Sequence, residues 1–379
     1  KSVYDGFETF LYVPNETSKS GTSIHDAIDS KRIMSLVVLS LVPAMLFGMY
    51  NIGYQNALAA GKLADATCWG MFLYGMLALL PKILVSSSLW AGSSPHGEVW
   101  LCWFWAGIEF AWAQWKGEEI QEGYLVSGIL IPLIIPVTTP LWILVLAVAF
   151  AVIFTKEIFG GTGMNIFNVA LCARAFLFFS YPSKMTGDTV WVASNSILGF
   201  GYDLPDGFTA ATPLGEIGVG ANVPYSLSDM ITGFIPGSIG ETSVIAIGIG
   251  AIILLWTGIA SWRTMGSVFG GGILMALLFK HLGMTSIDWY EHIVLGGFCF
   301  GAVFMATDPV TSARTHTGQW IYGFLIGAMA LIIRVMNPGY PEGMMLAILF
   351  ANMFAPLIDY YVVQANISKR MKRLTKNNK

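Results

Sequence analysis

The chain has 379 residues, of which 55% are hydrophobic and only 11% charged, with a formal net charge of -3 and a mean hydropathy of +0.64. That composition excludes an ordinary soluble domain and places the chain among polytopic membrane proteins. No nucleic acid is expected as a partner.

A membrane crossing takes about 20 apolar residues. Eleven candidate runs follow in order, at 33–53, 68–90, 98–116, 122–138, 141–158, 163–181, 243–261, 264–282, 291–306, 318–335 and 343–363. The segment 1–30 that precedes them is polar and reads as cytoplasmic. It begins at Lys1 rather than Met, so an earlier piece is expected, and it lacks the charged n-region and small-residue cleavage site of a signal peptide. Basic residues at run ends set the orientation: Lys31, Arg32, Lys116, Lys156, Arg263 and Arg314 all belong inside. This requires residues 54–116 to cross once in net, so one of the two runs there is not a full span. Pro81 and Lys82 in LLPKIL point to the run 68–90. About ten transmembrane helices then remain, with both termini cytoplasmic.

The chain also repeats itself weakly. EGYLVSGILIPLIIPVTTP, an apolar span and GGTGMNIFNVAL can be laid beside GGFCFGAVFMATDPVTSAR, an apolar span and GYPEGMMLAILFAN. Five spans per half would insert the second copy upside down, which predicts an all-α fold of two inverted five-helix repeats. The organisation read from this is a first membrane repeat at 31–181, an external loop at 182–241, a second repeat at 242–364 and a basic cytoplasmic tail at 365–379. The loop holds one lysine, Lys184, against six carboxylates, whereas the tail holds Lys369, Arg370, Lys372, Arg373 and Lys376.

Several polar residues stand where hydrocarbon is expected. A carboxylate such as Glu109 in WFWAGIEFAWAQW costs roughly 2.5–3.5 kcal/mol at membrane depth unless it meets water, an ion or a partner. Asp308 in the second P-V-T element and Asp359 in the last span raise the same question. Protonation or pairing with Arg174 or Arg334 is one answer, and a path for a hard cation with oxygen ligands is the other. Asn165 and Asn168 in GGTGMNIFN place two carboxamides on nearly one helical face after a Gly-rich turn, suited to an uncharged heteroaromatic or an anionic group, or simply to capping. That stretch is no G-x-G-x-x-G fingerprint, and no nucleotide-binding fold is expected. Cys68, Cys102, Cys172 and Cys299 lack C-x-x-C spacing and read as small hydrophobes, with ligation of an iron-sulfur centre shared with a partner as the alternative. The five histidines show no metalloenzyme spacing. In DGFTAATPLG the Asp206-Gly207 pair signals a turn, which leaves the Thr209 and Thr212 hydroxyls accessible ahead of Pro213.

DGFTAATPLG resembles the flavin-attachment motif of the Na+-translocating NADH:quinone oxidoreductases and the Rnf complexes. Four other landmarks, KEIFGGTGMNIFNVALCARAFLFFSYP, GFIPGSIGE, GGFCFGAVFMATDPVT and NPGYPEGMMLAILFANMFAPLID, are similar to the B-type membrane component of the former, in the same order and over almost the whole chain. FETFLYVP and IDSKRIM also resemble that B-type component more than its D-type counterpart in Rnf. The resemblance implies a ten-span, urea-transporter-like inverted repeat in a bacterial inner membrane. It implies FMN joined through phosphate to Thr212, with Asp206 and Gly207 shaping the turn. A riboflavin is carried to Asn165 and Asn168, with Arg174 among the cofactor-binding residues. Ubiquinone is carried to Glu109, Glu122, Gly123 and Tyr124. A Na+ path is carried to Asp5, Glu109, Asp308 and Asp359, with Na+ as a transient cargo and no resident metal. The implied partners are subunits of the A, C, D, E and F type, a flavin transferase and quinone. NADH would be bound elsewhere in the complex. Two departures stand out: Ala210 occupies a usual glycine position, and WAGIEF has one glycine before Glu109. An Rnf component, or a solute channel of the same fold without redox chemistry, are the alternatives.

Overall fold

The computed structural model describes residues 30–87, 123–161, 163–197, 199–204, 210–218, 225–285, 287–337 and 342–377. Asp5, Glu109, Glu122, Asp206 and Gly207 lie outside them. Gly123 and Tyr124 begin a helix, and only their backbone is described. Among the described residues the chain is helical, with no strand.

The first half comprises α1 (Ser30–Ala59), α2 (Cys68–Ser87), α3 (Gly123–Ile134), α4 (Leu141–Ala151) and α5 (Val169–Ser180). The connection to the second half carries three short helices, α6 (Pro182–Met185), α7 (Pro213–Gly218) and α8 (Leu227–Thr232). The second half comprises α9 (Val244–Trp256), α10 (Trp262–His281), α11 (Trp289–Val294), α12 (Phe298–Phe300), α13 (His316–Met336) and α14 (Met344–Asn377). Five of these, α1, α2, α10, α13 and α14, are long and apolar enough to cross a membrane. By contrast α5, with 12 residues, rises only about 18 Å, well short of a bilayer core. Half-length helices of this kind are tolerated in a membrane only where protein or a cavity satisfies their ends.

The run 68–90 departs from expectation. Pro81 and Lys82 do not break it, and α2 continues through both to Ser87. Side chains beside Pro81 bind the neighbouring segment. The Lys82 ammonium donates to the carbonyls of Pro136 (2.7 Å) and Val137, and the Ser86 hydroxyl donates to Gly128 O at 2.5 Å. The buried lysine therefore caps the end of α3, where the first P-V-T element interrupts the helix. The competing run 98–116 lies outside the described residues.

Glycines set how closely the long helices approach. A Cβ at Gly53 of α1 would strike the Met71 backbone, and one at Gly75 of α2 would strike that of Met49. In the second half Gly271 of α10 faces Phe324, and Gly327 of α13 faces Val268, in the same manner. Such small-residue contacts let helices pack backbone to backbone, where apolar side chains gain little over lipid. Outward faces stay apolar: Ile245, Ile249 and Ile252 of α9 are all exposed, the pattern expected of a lipid-facing surface.

In the connection 182–241 the stretch that begins at Val190 folds inward, as does GFIPGSIGE. Val190, Trp191 and Val192 are buried, and Val190 O accepts from the Thr138 hydroxyl at 2.8 Å. Asn56 of α1 donates to Ala193 O (2.8 Å) and Tyr202 O (2.9 Å), and Tyr74 of α2 donates to Asn195 O at 2.6 Å.

Gly327→Ala is expected to lower the stability of the detergent-solubilised chain by about 1–3 kcal/mol, the usual cost of overpacking. Gly270→Ala, whose Cβ would meet nothing within 4 Å, is expected to leave thermal unfolding unchanged or slightly improved. Equal melting of the two variants would contradict the close-approach assignment.

Candidate functional site

The first cleft forms where the start of α5 meets the second P-V-T element. Gly160 and Gly163 adopt positive φ (115° and 94°) in the turn that leads into α5. Asn168 is the N-cap: its Oδ1 accepts from the amides of Ala170 (3.0 Å) and Leu171 (3.3 Å), which satisfies two of the helix's free donors. Its Nδ2 faces Asp308 Oδ2 at 3.5 Å. Asp308 caps its own turn, accepting from the Val310 amide (3.2 Å) and the Thr311 hydroxyl (2.8 Å). The two P-V-T elements are thus closed differently, the first by the distant Lys82 and the second by the adjacent Asp308.

Asn165 does not share a helical face with Asn168. It lies in the preceding turn, donating to Phe167 O at 3.0 Å, because the helix starts only after Asn168. Both still line one cleft of about 750 Å3, together with Ser127, Lys156, Thr307 and Asp308. Two π-helical segments border it, Val152–Glu157 carrying Lys156 and Gly301–Met305 carrying Phe304. Such wide turns are frequent at functional sites. The cleft brings together residues assigned separately from sequence, the carboxamides to riboflavin and Asp308 to a cation.

Arginine pairing is not the answer for either intramembrane aspartate. Asp359 on α14 accepts from the backbone amides of Arg314 (2.7 Å) and Thr315 (3.1 Å) and from the Thr315 hydroxyl (2.5 Å). It therefore anchors the start of α13, where free amides and the helix dipole favour a carboxylate. Arg334 donates to the carbonyls of His292, Leu295 and Glu342, closing the chain break after α11.

Arg174 belongs to a second cleft. It is 5% exposed, and it donates to Glu241 Oε1 at 2.8 Å and to the Glu342 carboxylate. Glu241 is delivered by the loop GSIGE, held by a bond from Gly240 N to Leu133 O (2.7 Å) and one from Asn51 Nδ2 to Ile235 O (3.1 Å). Burial pushes its carboxyl above the usual carboxylate range, against the pull of Arg174 and with the help of Glu342. Glu241 and Glu342 line a cleft of about 380 Å3 with Thr212, Ser238, Thr242 and Gly296. Thr212 stands at the start of α7, its Oγ1 accepting from the Gly215 amide at 3.1 Å. Leu214, Met230 and Leu295 form a small apolar cluster that seats α7 and α8 against the end of α11. The structure thus brings Thr212 and Arg174 to one place through Glu241. Arg174 and Asn168, although on one helix, serve different clefts.

These landmarks and the all-helical frame match one known family over most of the chain. The chain belongs to the NQR2, RnfD, RnfE family. The family model matches residues 17–368. The B-type component of the Na(+)-translocating NADH-quinone reductase of Chromohalobacter salexigens is 45% identical over 400 residues, covering 98% of this chain and 91% of the relative. The B-type components of the same reductase in Klebsiella pneumoniae and Pseudomonas paraeruginosa are 43% and 44% identical, each over 98% of this chain and 94% and 93% of the relative.

Sequence reading missed Lys82, Lys156, Glu241 and Glu342 as site residues. Glu241 stood inside GFIPGSIGE, a stretch already used as a landmark, and its charge beside an apolar run was the available signal. Asn168→Ala is expected to cost about 1 kcal/mol through the lost cap, read as a lowered melting temperature. Asn168→Ser, which keeps a capping oxygen, is expected to recover most of it. No difference between the two variants would remove the capping role.

Proposed function

We propose that this chain is the membrane flavoprotein subunit of a complex that couples electron transfer from NADH to ubiquinone with Na+ translocation, in a bacterial inner membrane. The relatives described above are named as components of a Na(+)-translocating NADH-quinone reductase. The observation that carries the reading further is the position of Thr212, half-buried and lining a cleft with Ser238, Glu241, Thr242 and Glu342.

FMN joined to Thr212 through a phosphoester would be installed by a flavin transferase acting on the DGFTAATPLG turn, with Asp206 and Gly207 shaping it. The cleft fits such a group. It offers space and unsatisfied polarity, since the buried Ser238 hydroxyl makes no hydrogen bond of good geometry. Bound flavin supplies one-electron chemistry. The chain supplies a tether that keeps the flavin at high local concentration and walls that exclude water. Riboflavin is assigned to the cleft at Asn165 and Asn168, whose two carboxamides supply donors and acceptors to a heteroaromatic edge. Ubiquinone is assigned near Glu109, Glu122, Gly123 and Tyr124.

A Na+ path through Asp5, Glu109, Asp308 and Asp359 draws support from Asp308, a carboxylate with a threonine hydroxyl at 2.8 Å beside a cleft. These are the oxygen donors a hard cation prefers. Asp359 enters the path only as the residue that holds the start of α13. Subunits of the A, C, D, E and F type would complete the complex, and NADH would bind one of them. The ten-span, urea-transporter-like inverted repeat is part of the same proposal, with repeats at 31–181 and 242–364, the loop 182–241 outside and the segments 1–30 and 365–379 inside. The half-length helices and the two P-V-T breaks support it.

In-gel fluorescence of the denatured chain, made with and without a flavin transferase, is expected to be transferase-dependent and lost in Thr212→Val. A dark parent band despite active transferase would favour a channel of the same fold. Asp308→Asn in the assembled complex is expected to raise the Na+ concentration needed for half-maximal quinone reduction about tenfold, the effect of about 1.4 kcal/mol in cation affinity. An unchanged Na+ dependence would remove Asp308 from the path.

A further inference from the structure

The groups facing the Thr212 cleft are oxygens, and its nearby cations are already engaged. Arg174 gives its two terminal nitrogens to Glu241 and Glu342, and Arg334 gives its own to three backbone carbonyls. What lines the cleft beside Thr212 is the Glu241 and Glu342 carboxyls and the hydroxyls of Ser238 and Thr242. Phosphate takes donors and cations, and among these side chains it would meet the two hydroxyls as donors beside two carboxyls that repel it. A ring edge that alternates carbonyl, N–H and carbonyl finds the complementary set: a carboxylate to accept and a hydroxyl to donate.

Three further features hold that set in place. Glu241 and Ser238 lie on one tight loop, with the Glu241 amide donating to Ser238 O at 3.2 Å. Ser238 is 3% exposed, and its hydroxyl, although a neighbour of the Glu241 carboxyl, makes no well-formed bond. Gly297 leaves room for the carboxyl, since a Cβ there would come within 2.8 Å of it. A buried hydroxyl without a partner costs free energy, and here it lines the cleft beside Thr212.

We propose that Glu241 and Ser238, with Arg174 and Glu342 fixing the carboxyl, are positioning residues that receive the ring edge of the group tethered at Thr212, while its phosphate stays at the mouth. This rests on Thr212 being the flavin-bearing residue. It adds the direction in which the group lies and the residues that read it.

A reporter on the cleft wall separates the two levels. Gly237 lines the cleft, is half-buried, and would meet only the Thr242 methyl, at 3.3 Å, on gaining a Cβ. Gly237→Cys would be introduced into the full chain within its complex, expressed with and without transferase. Maleimide modification at residue 237 would be followed by peptide mass spectrometry, and attachment by in-gel fluorescence. The expected result is transferase-dependent protection of Cys at 237. Adding Glu241→Gln should reduce that protection about tenfold, the population change that accompanies one charge-assisted hydrogen bond, while fluorescence stays and Glu241→Asp restores part of the protection. Should Glu241→Gln fail to assemble, Ser238→Ala carries the same expectation of lost protection with fluorescence kept. A fluorescent band with equal labelling in both expressions would overturn the proposal, as would undiminished protection in Glu241→Gln or, in its place, Ser238→Ala. A dark parent band would instead overturn the Thr212 reading beneath it.

Discussion

The constraint on which this structure depends is that a helix broken inside a membrane protein exposes backbone groups that lipid cannot satisfy. Each break here is closed by a specific side chain. Lys82 reaches the carbonyls after α3, Asn168 caps the amides of α5, Asp308 closes the second P-V-T turn and Arg334 collects the carbonyls after α11. An ionised group in low dielectric is costly by itself, but fixed peptide dipoles offset that cost. The same charges that stabilise the breaks therefore define where polar space can exist.

Among the described residues α5 joins two clefts. Asn168 at its start faces Asp308, and Arg174, about 9 Å further along by helix rise, holds Glu241 and Glu342. The buried three-membered ion cluster is weak ground for stability as such, because desolvation of the charges largely cancels their attraction. Its value is geometric: it brings together a helix of the first half, the loop before α9 and the turn before α14. Removing one member would leave a buried charge without its partner.

Glycine packing makes this arrangement possible. Where Gly75 of α2 rests on α1 and Gly327 of α13 rests on α10, the helices are close enough for the side chains at their ends to span the gaps between elements. Close backbone contact and buried polar capping are thus two aspects of one packing solution.

Membrane class and the long apolar runs of α1, α2, α10, α13 and α14 were legible in the sequence, because hydrophobic length is a local property. The family landmarks were legible for the same reason, being short and contiguous. The continuity of α2 through Pro81 and Lys82 was not, because the carbonyls that accept from Lys82 lie 54 and 55 residues away. Nor was the partner of Arg174, which lies 67 residues off in Glu241 and 168 in Glu342, whereas the sequence offered it to the intramembrane aspartates. Asn165 and Asn168 were recognised as polar residues in an unusual place, yet only the helix start decided that one caps and the other sits in the turn. The sequence by itself determined that long apolar segments are present and which residues are too polar for them without cause. Only the tertiary structure decided which of those residues meet, because a buried charge is matched by whatever dipole or counter-charge packing brings within about 3 Å, and chain separation carries no information about that.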